Sequence, residues 1–487
     1  MTDPGPVPYS FERTHDAASV RDQFGSIAQG EESGVEVSVA GRLMLNRPQG
    51  KLAFAELRDS SGSIQLFAGA GWTEDFERFS RLSLGDWVGA GGEVVKTRKG
   101  ELSVKVRSWA LLAEARRGFG DKWRGVTDID TRSRQRYVDL WANPGTRRVF
   151  LLRSRLVSAM RRWLEDRGFV EVETPVFHPI PGGATARPFV THHNALDLDL
   201  YLRIATELYL KRLVVGGFEK VFEIGRTFRN EGIGYRWNPE FTMLEAYQAY
   251  ADYTDMMELT ESMVSDLAVE LCGSAKLVYR GRPLDLTPPW PRATMYDLIG
   301  EHAGVGVDVQ MPVEELAGVA AGLEVPVEKG WGPGKIVLEI YEKTTERELW
   351  GPVFVCDYPQ EVSPLARPHR SKPGLVERFE PIAAGLELGN AFSELTDPEI
   401  QRQVLEAQAR ARSAGDEEAM AVDEDFLRAL EHGMPPTGGL GIGIDRLVML
   451  LADVHHIRDV ILFPTLRPEQ GDQAQGPAPA QGDAEGA

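Results

Sequence analysis

The sequence predicts an α+β protein: a small N-terminal β-barrel, then a larger domain built on an antiparallel sheet with flanking helices. Three observations carry that prediction. Residues 35 to 113 fall into short runs of alternating apolar and polar residues separated by glycine-rich turns. Beyond residue 147, long helical periodicities mix with strands that also alternate, unlike the solid apolar runs of a buried parallel sheet. No G-x-G-x-x-G or Walker sequence occurs, so neither a dinucleotide-binding doubly wound fold nor a P-loop is supported.

The elements follow in order. Residues 1–32 form an irregular extension with a short helix around His15 to Phe24. The runs VEVSVAGRLML, KLAFAELRD, SGSIQLFAG, DWVGAGGEVVKT and ELSVKVRSWALLA read as five strands, with the helical patch TEDFERFSRL between the third and fourth. That is the element order of an OB-fold, a small barrel that often binds oligonucleotides, and it occupies residues 33–113. Residues 114–135 hold few apolar residues and several arginines, and read as a linker. The larger domain takes residues 136–468 and includes a helical insertion at about 296–345. From Arg147 to Arg167, Val149, Leu152, Leu156, Met160 and Leu164 recur at helical spacing and predict a long amphipathic helix. The stretch GFVEVETPVF follows as a strand ending near Pro175. Residues 469–487 are polar and rich in Pro, Gly and Ala, which predicts a disordered tail.

Composition narrows the function classes. A chain of 487 residues with 42% hydrophobic and 26% charged residues is ordinary for a globular protein. No apolar run reaches the roughly 18–20 residues of a membrane helix, so no membrane partner is expected. The N-terminus, MTDPGPVPYS, has neither a basic n-region nor an apolar h-region, and a cytoplasmic protein is expected. Two cysteines, Cys272 and Cys356, point to a reducing compartment without a disulfide framework. The pairs His192-His193 and His455-His456 lack a cysteine or carboxylate at zinc-ligand spacing. Taken alone, the net charge of −19 argues against nucleic acid as a partner, and no DNA partner is expected. Net charge describes long-range fields rather than local patches, however, and basic clusters such as KTRKG and RSRQR lie in the nearly balanced first 140 residues.

Three dense stretches carry chemistry. In the first, EKVFEIGRTFRNEG and EFTMLEAYQAYADY read as strands joined by IGYRWNP. Residues two apart on a strand share a face, so Thr227, Arg229 and Glu231 lie together, as do Phe241, Met243, Glu245 and Tyr247. Such a face is a poor core. As a solvent face it would waste its aromatics on water for surface ion pairs worth about 0–1 kcal/mol each. It makes sense as the floor of a polar pocket. In the second stretch, GLELGNAFSELTDPE, Glu387, Asn390 and Glu394 follow Glu380. Clustered carboxylates need a cation, either a metal or a substrate ammonium. The spacing from Glu380 to Glu387 and on to Asn390 does not fit one strand face, so a turn or bulge must intervene. In the third, GGLGIGIDRLVMLLADV, glycines 439, 441 and 443 alternate along a strand. They allow close backbone approach to something flat, or serve packing at a strand–helix crossing. Arg446 sits in the first turn of the following helix, unfavourably for the helix dipole, which suits a role with an anion.

In this order the three stretches resemble the signature motifs of class II aminoacyl-tRNA synthetases: the helix and strand ending at Pro175 for motif 1, FRNEG and its hairpin for motif 2, GLGIGIDR for motif 3. IPGGATARPFVTHHNALDLDLYLRIATELYLKRLVVGGFEKVFEI, NPEFTMLEAYQAYADY, VCDYPQEVSPLA and IRDVILFPTLRP resemble the bacterial-type lysyl-tRNA synthetases in particular, over residues 8 to 468. The resemblance implies an N-terminal OB-fold that reads an anticodon and a class II synthetase catalytic domain. It implies a ligase that activates L-lysine with ATP, transfers it to tRNA(Lys), uses Mg2+ and acts as a homodimer through motif 1. It assigns ATP to Arg229, Glu231, Arg236, Asn238, Phe241, Glu380, Glu387 and Arg446, with Arg229 on the α-phosphate and Phe241 and Arg446 sandwiching the adenine. Arg229 and Arg446 are the catalytic pair, and Glu380 and Glu387 hold the metal. Gly183, Glu207 and Glu245 surround the α-ammonium of lysine, Asn390 faces its carboxylate, and Tyr247 and Glu394 take the ε-ammonium. Phe54 stacks on an anticodon base, and Arg42, Gln65 and Glu101 read base edges.

One position departs from the family: Trp237 stands in the motif 2 loop where a histidine is usual. Three other readings are weaker. Enzymes that lysylate a protein lack the OB-fold, lysyl-lipid synthases need membrane helices, and a catalytically dead nucleic-acid-binding relative would not keep Arg229, Glu231, Glu380, Glu387 and Arg446 intact.

Overall fold

The computed structural model describes residues 7–117 and 126–468. The first six residues of the predicted extension, residues 118–125 of the predicted linker and the predicted tail 469–487 lie outside the described residues. The chain divides into two compact units, Met1–Asn143 and Pro144–Ala487.

The first unit begins with helix α1 (Ala17–Phe24), started by a capping box in which Asp16 accepts from Ser19 N at 2.8 Å and Ser19 Oγ returns the bond. Strands β1 (Glu32–Gln49), β2 (Leu52–Arg58), β3 (Ser63–Gly69), β4 (Trp87–Lys96) and β5 (Leu102–Ala113) follow, with the short helix α2 (Phe76–Ser80) between the third and fourth, as the sequence predicts. They pair in the order β1-β2-β3-β5-β4, with β4 pairing back onto β1. The strict alternation of Ala53, Ala55, Leu57 on β2 and Ile64, Leu66, Ala68 on β3 fills the barrel interior. Their neighbours Phe54, Glu56, Gln65 and Phe67 therefore form the outer face.

Helices α3 (Ile129–Arg134) and α4 (Arg136–Ala142) belong to this first unit. The sequence reading instead ended its linker at residue 135 and began the larger domain at 136. Trp141 explains the difference: its ring meets Trp87 of β4 edge-on at 5.0 Å, a long-range contact that composition does not announce.

The second unit opens with α5 (Pro144–Glu165), the predicted amphipathic helix, which buries Val149, Leu156, Met160 and Leu164. The strand predicted after it shrinks to β6 (Val170–Glu171), because only those two residues pair with the next sheet strand. There follow β7 (Phe177–His178), β8 (Val190–His193), β9 (Leu198–Leu202), α6 (Glu207–Val215), β10 (Lys220–Phe228), β11 (Glu240–Ala249), α7 (Tyr253–Cys272), β12 (Lys276–Tyr279), β13 (Arg282–Asp285) and β14 (Arg292–Thr294). Helices α8 (Met295–Ala303), α9 (Val313–Gly322) and α10 (Pro333–Thr344) fill the predicted helical insertion. The chain then runs through β15 (Val353–Cys356), β16 (Arg378–Ala383), β17 (Leu386–Glu387), β18 (Gly389–Ser393), α11 (Pro398–Ser413), α12 (Glu424–Glu431), β19 (Thr437–Gly443) and α13 (Ile444–Ala452).

A nine-stranded sheet in the order β14-β15-β16-β18-β19-β11-β10-β6, with β17 on β16, is the frame. Only the outermost pairs, β14 with β15 and β10 with β6, are parallel. Along β11 the even residues Leu244 and Ala246 pack into a core with α5, α7 and α13. The odd residues Phe241, Met243, Glu245 and Tyr247 are thereby turned to the opposite face. Cys272 is exposed at the end of α7 rather than in the apolar setting its neighbours suggest, and Cys356 is buried; both are free thiols.

Candidate active site

The three dense stretches meet on one face of the sheet. Across β10 and β11, Glu223 pairs with Glu245 and Thr227 with Phe241. Across β11 and β19, Glu245 pairs with Gly441 and Tyr247 with Gly439. Across β19 and β18, Gly441 pairs with Asn390 and Gly439 with Phe392. Directly paired residues share a face. The alternating glycines thus form a strip without side chains between Glu245 and Tyr247 on one side and Asn390 and Phe392 on the other. A Cβ on Gly439 would sit 1.8 Å from Glu394 Oε1 and 2.7 Å from Tyr247 Cε1, so that glycine makes room for the site itself.

At one end lie the charged groups of the hairpin. The half-buried Arg229 donates from Nε to the Ile204 carbonyl at 3.5 Å, and its guanidinium stands 5.2 Å from the Phe241 ring centroid. Burial pulls Arg229 below the ordinary guanidinium value, while Glu231 and Glu387 counter it. Glu231 itself is exposed. Asn238 is buried and donates to the Glu240 carbonyl at 2.6 Å, which fixes the return of the loop. Arg236 turns inward, 5.0 Å from the Tyr235 ring and 3.4 Å from Glu346 Oε1. Trp237 turns outward, 47% exposed, its ring lying on Gly234, where a Cβ would come within 2.6 Å of Trp237 Cε3.

Arg446 is held from both sides. Asp445, buried beside it, accepts from Thr242 N at 2.8 Å and from Arg153 Nη1 at 2.5 Å, tying the start of α13 to β11 and α5. Arg446 Nη1 then donates to Glu387 Oε2 at 2.9 Å and to the Glu387 carbonyl at 2.8 Å. Burial would raise the Glu387 carboxyl, but Arg446 beside it wins and holds it below the usual range. Glu380 fares differently: burial and the neighbouring Glu387 push it up to about 8, although Arg378 donates to it at 2.7 Å. The turn that the spacing demanded is the β16–β17 hairpin, with Ala384 at φ 54° and Gly385 at φ 64°. It brings both carboxylates to one place. Among the described residues no group of three or more His, Cys, Asp or Glu side chains stands ready for a metal ion. Two neighbouring carboxylates, one of them raised by burial and by the charge of the other, would suit a hard divalent cation.

At the other end is a cluster of buried carboxylates. Gly183, at φ 88°, lies against Glu207: a Cβ there would stand 3.2 Å from Glu207 Cβ. Glu245, 4% exposed, accepts from Thr206 N at 2.9 Å and from the Tyr247 hydroxyl at 3.3 Å. Burial, with Glu207 adding to it, pushes its carboxyl up to about 7, against the Thr206 N–H. Asn390 Oδ1 accepts from Arg378 Nε at 2.8 Å, which orients the amide and leaves its N–H groups for a ligand. Glu394 is 1% exposed, and burial raises its carboxyl well above the usual range.

The sequence assigns no role to several residues that position these groups, among them Lys211, Glu346, Arg378 and Asp445. Lys211 had a signal, one helical turn after Glu207 in an apolar run. Arg378 is legible only once Asn390 and Glu380 are known to flank it.

On the barrel, Phe54 stacks on Phe67 with centroids 5.0 Å apart and planes at 7°, and Trp72 meets Phe67 edge-on at 5.2 Å. Gln65 lies on the same face and donates to Ser103 Oγ at 2.8 Å. Glu101 sits at the β4–β5 turn, exposed. Arg42 is not brought to this platform. Its guanidinium lies between the rings of Trp87 and Trp141, at 4.7 and 5.0 Å, and donates to the Gly85 carbonyl at 3.1 Å. The register places Arg47, exposed, directly across from Phe54 instead. Arg42, expected to read a base edge, is thus held by the two tryptophans, and pairing register, which alternation does not set, puts Arg47 across from Phe54.

An antiparallel sheet carrying this hairpin, this glycine strip and this helix-borne arginine is the core of a class II synthetase. The family model of the tRNA synthetases class II (D, K and N) matches residues 128–467, and that of the OB-fold nucleic acid binding domain matches residues 37–112. The chain is 56% identical over 477 residues to a lysine–tRNA ligase of Parasynechococcus marenigrum (strain WH8102), covering 96% of this chain and 94% of that one. To the lysine–tRNA ligase of Synechococcus sp. (strain CC9605) it is 55% identical over 475 residues, with 96% and 94% covered. To that of Nostoc punctiforme (strain ATCC 29133 / PCC 73102) it is 53% identical over 475 residues, with 95% and 85% covered. The chain belongs to the lysine–tRNA ligase family of class II tRNA synthetases.

Proposed function

We propose that the chain activates L-lysine with ATP and transfers the lysyl group to the 3′-terminal adenosine of tRNA(Lys). One observation carries the choice of amino acid: Glu394 is buried at the end of the pocket and its Oε1 has no hydrogen-bond partner. A carboxylate oxygen kept that way is a strong acceptor waiting for an ammonium group.

In the first step a lysine carboxylate oxygen bonds to the α-phosphorus, the bond from that phosphorus to the β-bridging oxygen breaks, and pyrophosphate leaves. Two anions must meet, so the site neutralises charge and holds geometry. Arg229 meets the α-phosphate, Phe241 and Arg446 take the two faces of the adenine, Glu231 accepts from its amino group, and Arg236 and Asn238 line the loop. Glu380 and Glu387 would hold Mg2+, which supplies charge neutralisation at the phosphates when bound. Gly183, Glu207 and Glu245 surround the α-ammonium, Asn390 presents N–H groups to the carboxylate, and Tyr247 and Glu394 receive the ε-ammonium. In the second step the terminal ribose hydroxyl attacks the lysyl carbonyl and AMP leaves. The Phe54–Phe67 face, with Gln65 and Glu101, takes anticodon bases.

The working form is a homodimer in the cytoplasm. Supporting the dimer, Val170, Phe177, Val190 and Leu198 around the motif 1 strand expose apolar side chains at 46%, 55%, 61% and 43%. Among the described residues no helix is long and apolar enough to cross a membrane.

Pyrophosphate exchange measured with each amino acid in turn tests the assignment. Lysine alone supports exchange, and tRNA(Lys) is then charged; exchange with another amino acid, or none, refutes the reading. Glu394→Ala raises the KM for lysine while leaving that for ATP unchanged.

A further inference from the structure

The amino-acid pocket contains a cation of its own. Lys211 is a fully buried side chain on α6. Its ammonium pairs with Glu207 one helical turn earlier at 2.6 Å, and with Glu394 across the pocket. The Phe392 ring lies 5.4 Å below it. The charged and titratable groups facing it come from every wall: Glu207 from α6, Glu245 and Tyr247 from β11, Glu394 from beyond β18, with Arg378 of β16 and Arg229 of the hairpin beyond them.

Three buried carboxylates, Glu207, Glu245 and Glu394, thus surround one buried ammonium. Burial alone would strip Lys211 of its proton, but Glu207 and Glu394 together outweigh it and hold the ammonium form. The pocket is left short by two positive charges. Burial raises all three carboxyls, and at Glu245 and Glu394 the neighbouring carboxylates add to it.

We propose that Lys211 is a resident counter-cation: by neutralising one of the three carboxylates it sets the pocket to two uncompensated charges, one for each ammonium group of the substrate. This rests on lysine being that substrate. It makes Lys211 a specificity-determining residue that acts through Glu207 and Glu394. Without it the pocket would hold three carboxylates against two substrate ammonium groups. The third carboxylate would then have no cation in the empty or the lysine-bound pocket, and would keep a proton in both.

Calorimetry of lysine binding in two buffers of different ionisation enthalpy counts the protons released. Wild type and Lys211→Met release the same number of protons per lysine, no more than two, because lysine supplies two ammonium groups to either pocket. The lysine complex of Lys211→Met keeps one protonated carboxyl, seen as a carboxylic-acid C=O band in infrared difference spectra that the wild-type complex lacks. Its ATP affinity is unchanged. Lys211→Arg, which keeps the charge, gives no such band. A Lys211→Met lysine complex without the band overturns the proposal. So does a wild-type release approaching three protons, a measurement that needs no variant to fold. If the wild type gives no lysine-dependent pyrophosphate exchange, the substrate assignment falls and the proposal with it; normal exchange without the band in Lys211→Met defeats the proposal alone.

Discussion

Gly439→Ala tests the geometry of the pocket most directly. The added methyl would lie 1.8 Å from Glu394 Oε1 and 2.7 Å from Tyr247 Cε1, where no carbon can stay. Neither neighbour has free room to retreat. Glu394 is paired with the fully buried Lys211, and the Tyr247 hydroxyl is bonded to Glu245 at 3.3 Å. Overpacking of this kind costs about 1–3 kcal/mol in a well-packed interior. Falling on the groups proposed to receive the ε-ammonium, the same cost lowers kcat/KM for lysine by about 5- to 150-fold. The assay is lysine-dependent pyrophosphate exchange with both substrates varied. KM for ATP stays at the wild-type value, because the groups nearest the added methyl are Glu394 and Tyr247, not Arg229, Phe241 or Arg446. Gly441→Ala is the control: its methyl would meet only the flexible end of Met243 closely, at 3.1 Å, and produces a smaller loss. A Gly439→Ala enzyme with lysine kcat/KM within about twofold of wild type would refute the reasoning, since so small a change is below any steric cost expected there.

Glu245 gives the pocket a pH dependence. Its carboxyl stands at about 7 through burial, and an ammonium ligand binds the ionised form, so KM for lysine climbs as pH falls through about 7. Glu245→Gln removes that inflection, and its persistence in the variant's pH profile would exclude Glu245 as the source. Trp237→His replaces a half-exposed ring resting on Gly234 with a smaller side chain able to carry charge. It alters KM for ATP or inhibitor response without abolishing activation, whereas unchanged values for both show that position 237 does not bear on the nucleotide. Phe54→Ala leaves pyrophosphate exchange intact and lowers tRNA charging, by the about 1–3 kcal/mol that a base–aromatic stack contributes. Equal charging by wild type and variant would count against the barrel face as the anticodon surface.

What was legible in the sequence was what local periodicity encodes. The barrel strands, α5 and the two faces of the β10–β11 hairpin all follow from alternation at 2 or recurrence at 3.6, because burial on one face leaves that trace. What escaped depends on register and on long-range pairing. Arg42 and Arg47 are both exposed-type residues on one long strand, and only the pairing of β1 with β2 places Arg47 opposite Phe54. Trp141 gives no sign in its neighbourhood that it packs on Trp87. The pocket shows the same limit in its chemistry. The family resemblance assigns Glu207, Glu245 and Glu394 to the lysine, three anions for two substrate ammonium groups. The imbalance disappears once Lys211 is seen between Glu207 and Glu394. Arg378 has the same character: its Nε holds Asn390 and its Nη2 holds Glu380, so one guanidinium orients both the amide proposed to face the amino acid and a carboxylate proposed for the metal. Side chains that contact substrate are conspicuous by type, whereas those that set its charge and orientation look like ordinary surface or core residues until the fold brings them together. A site read from sequence is therefore most complete in its ligand-facing groups and least complete in the charges that balance them, and at this site the missing balance is a single buried lysine.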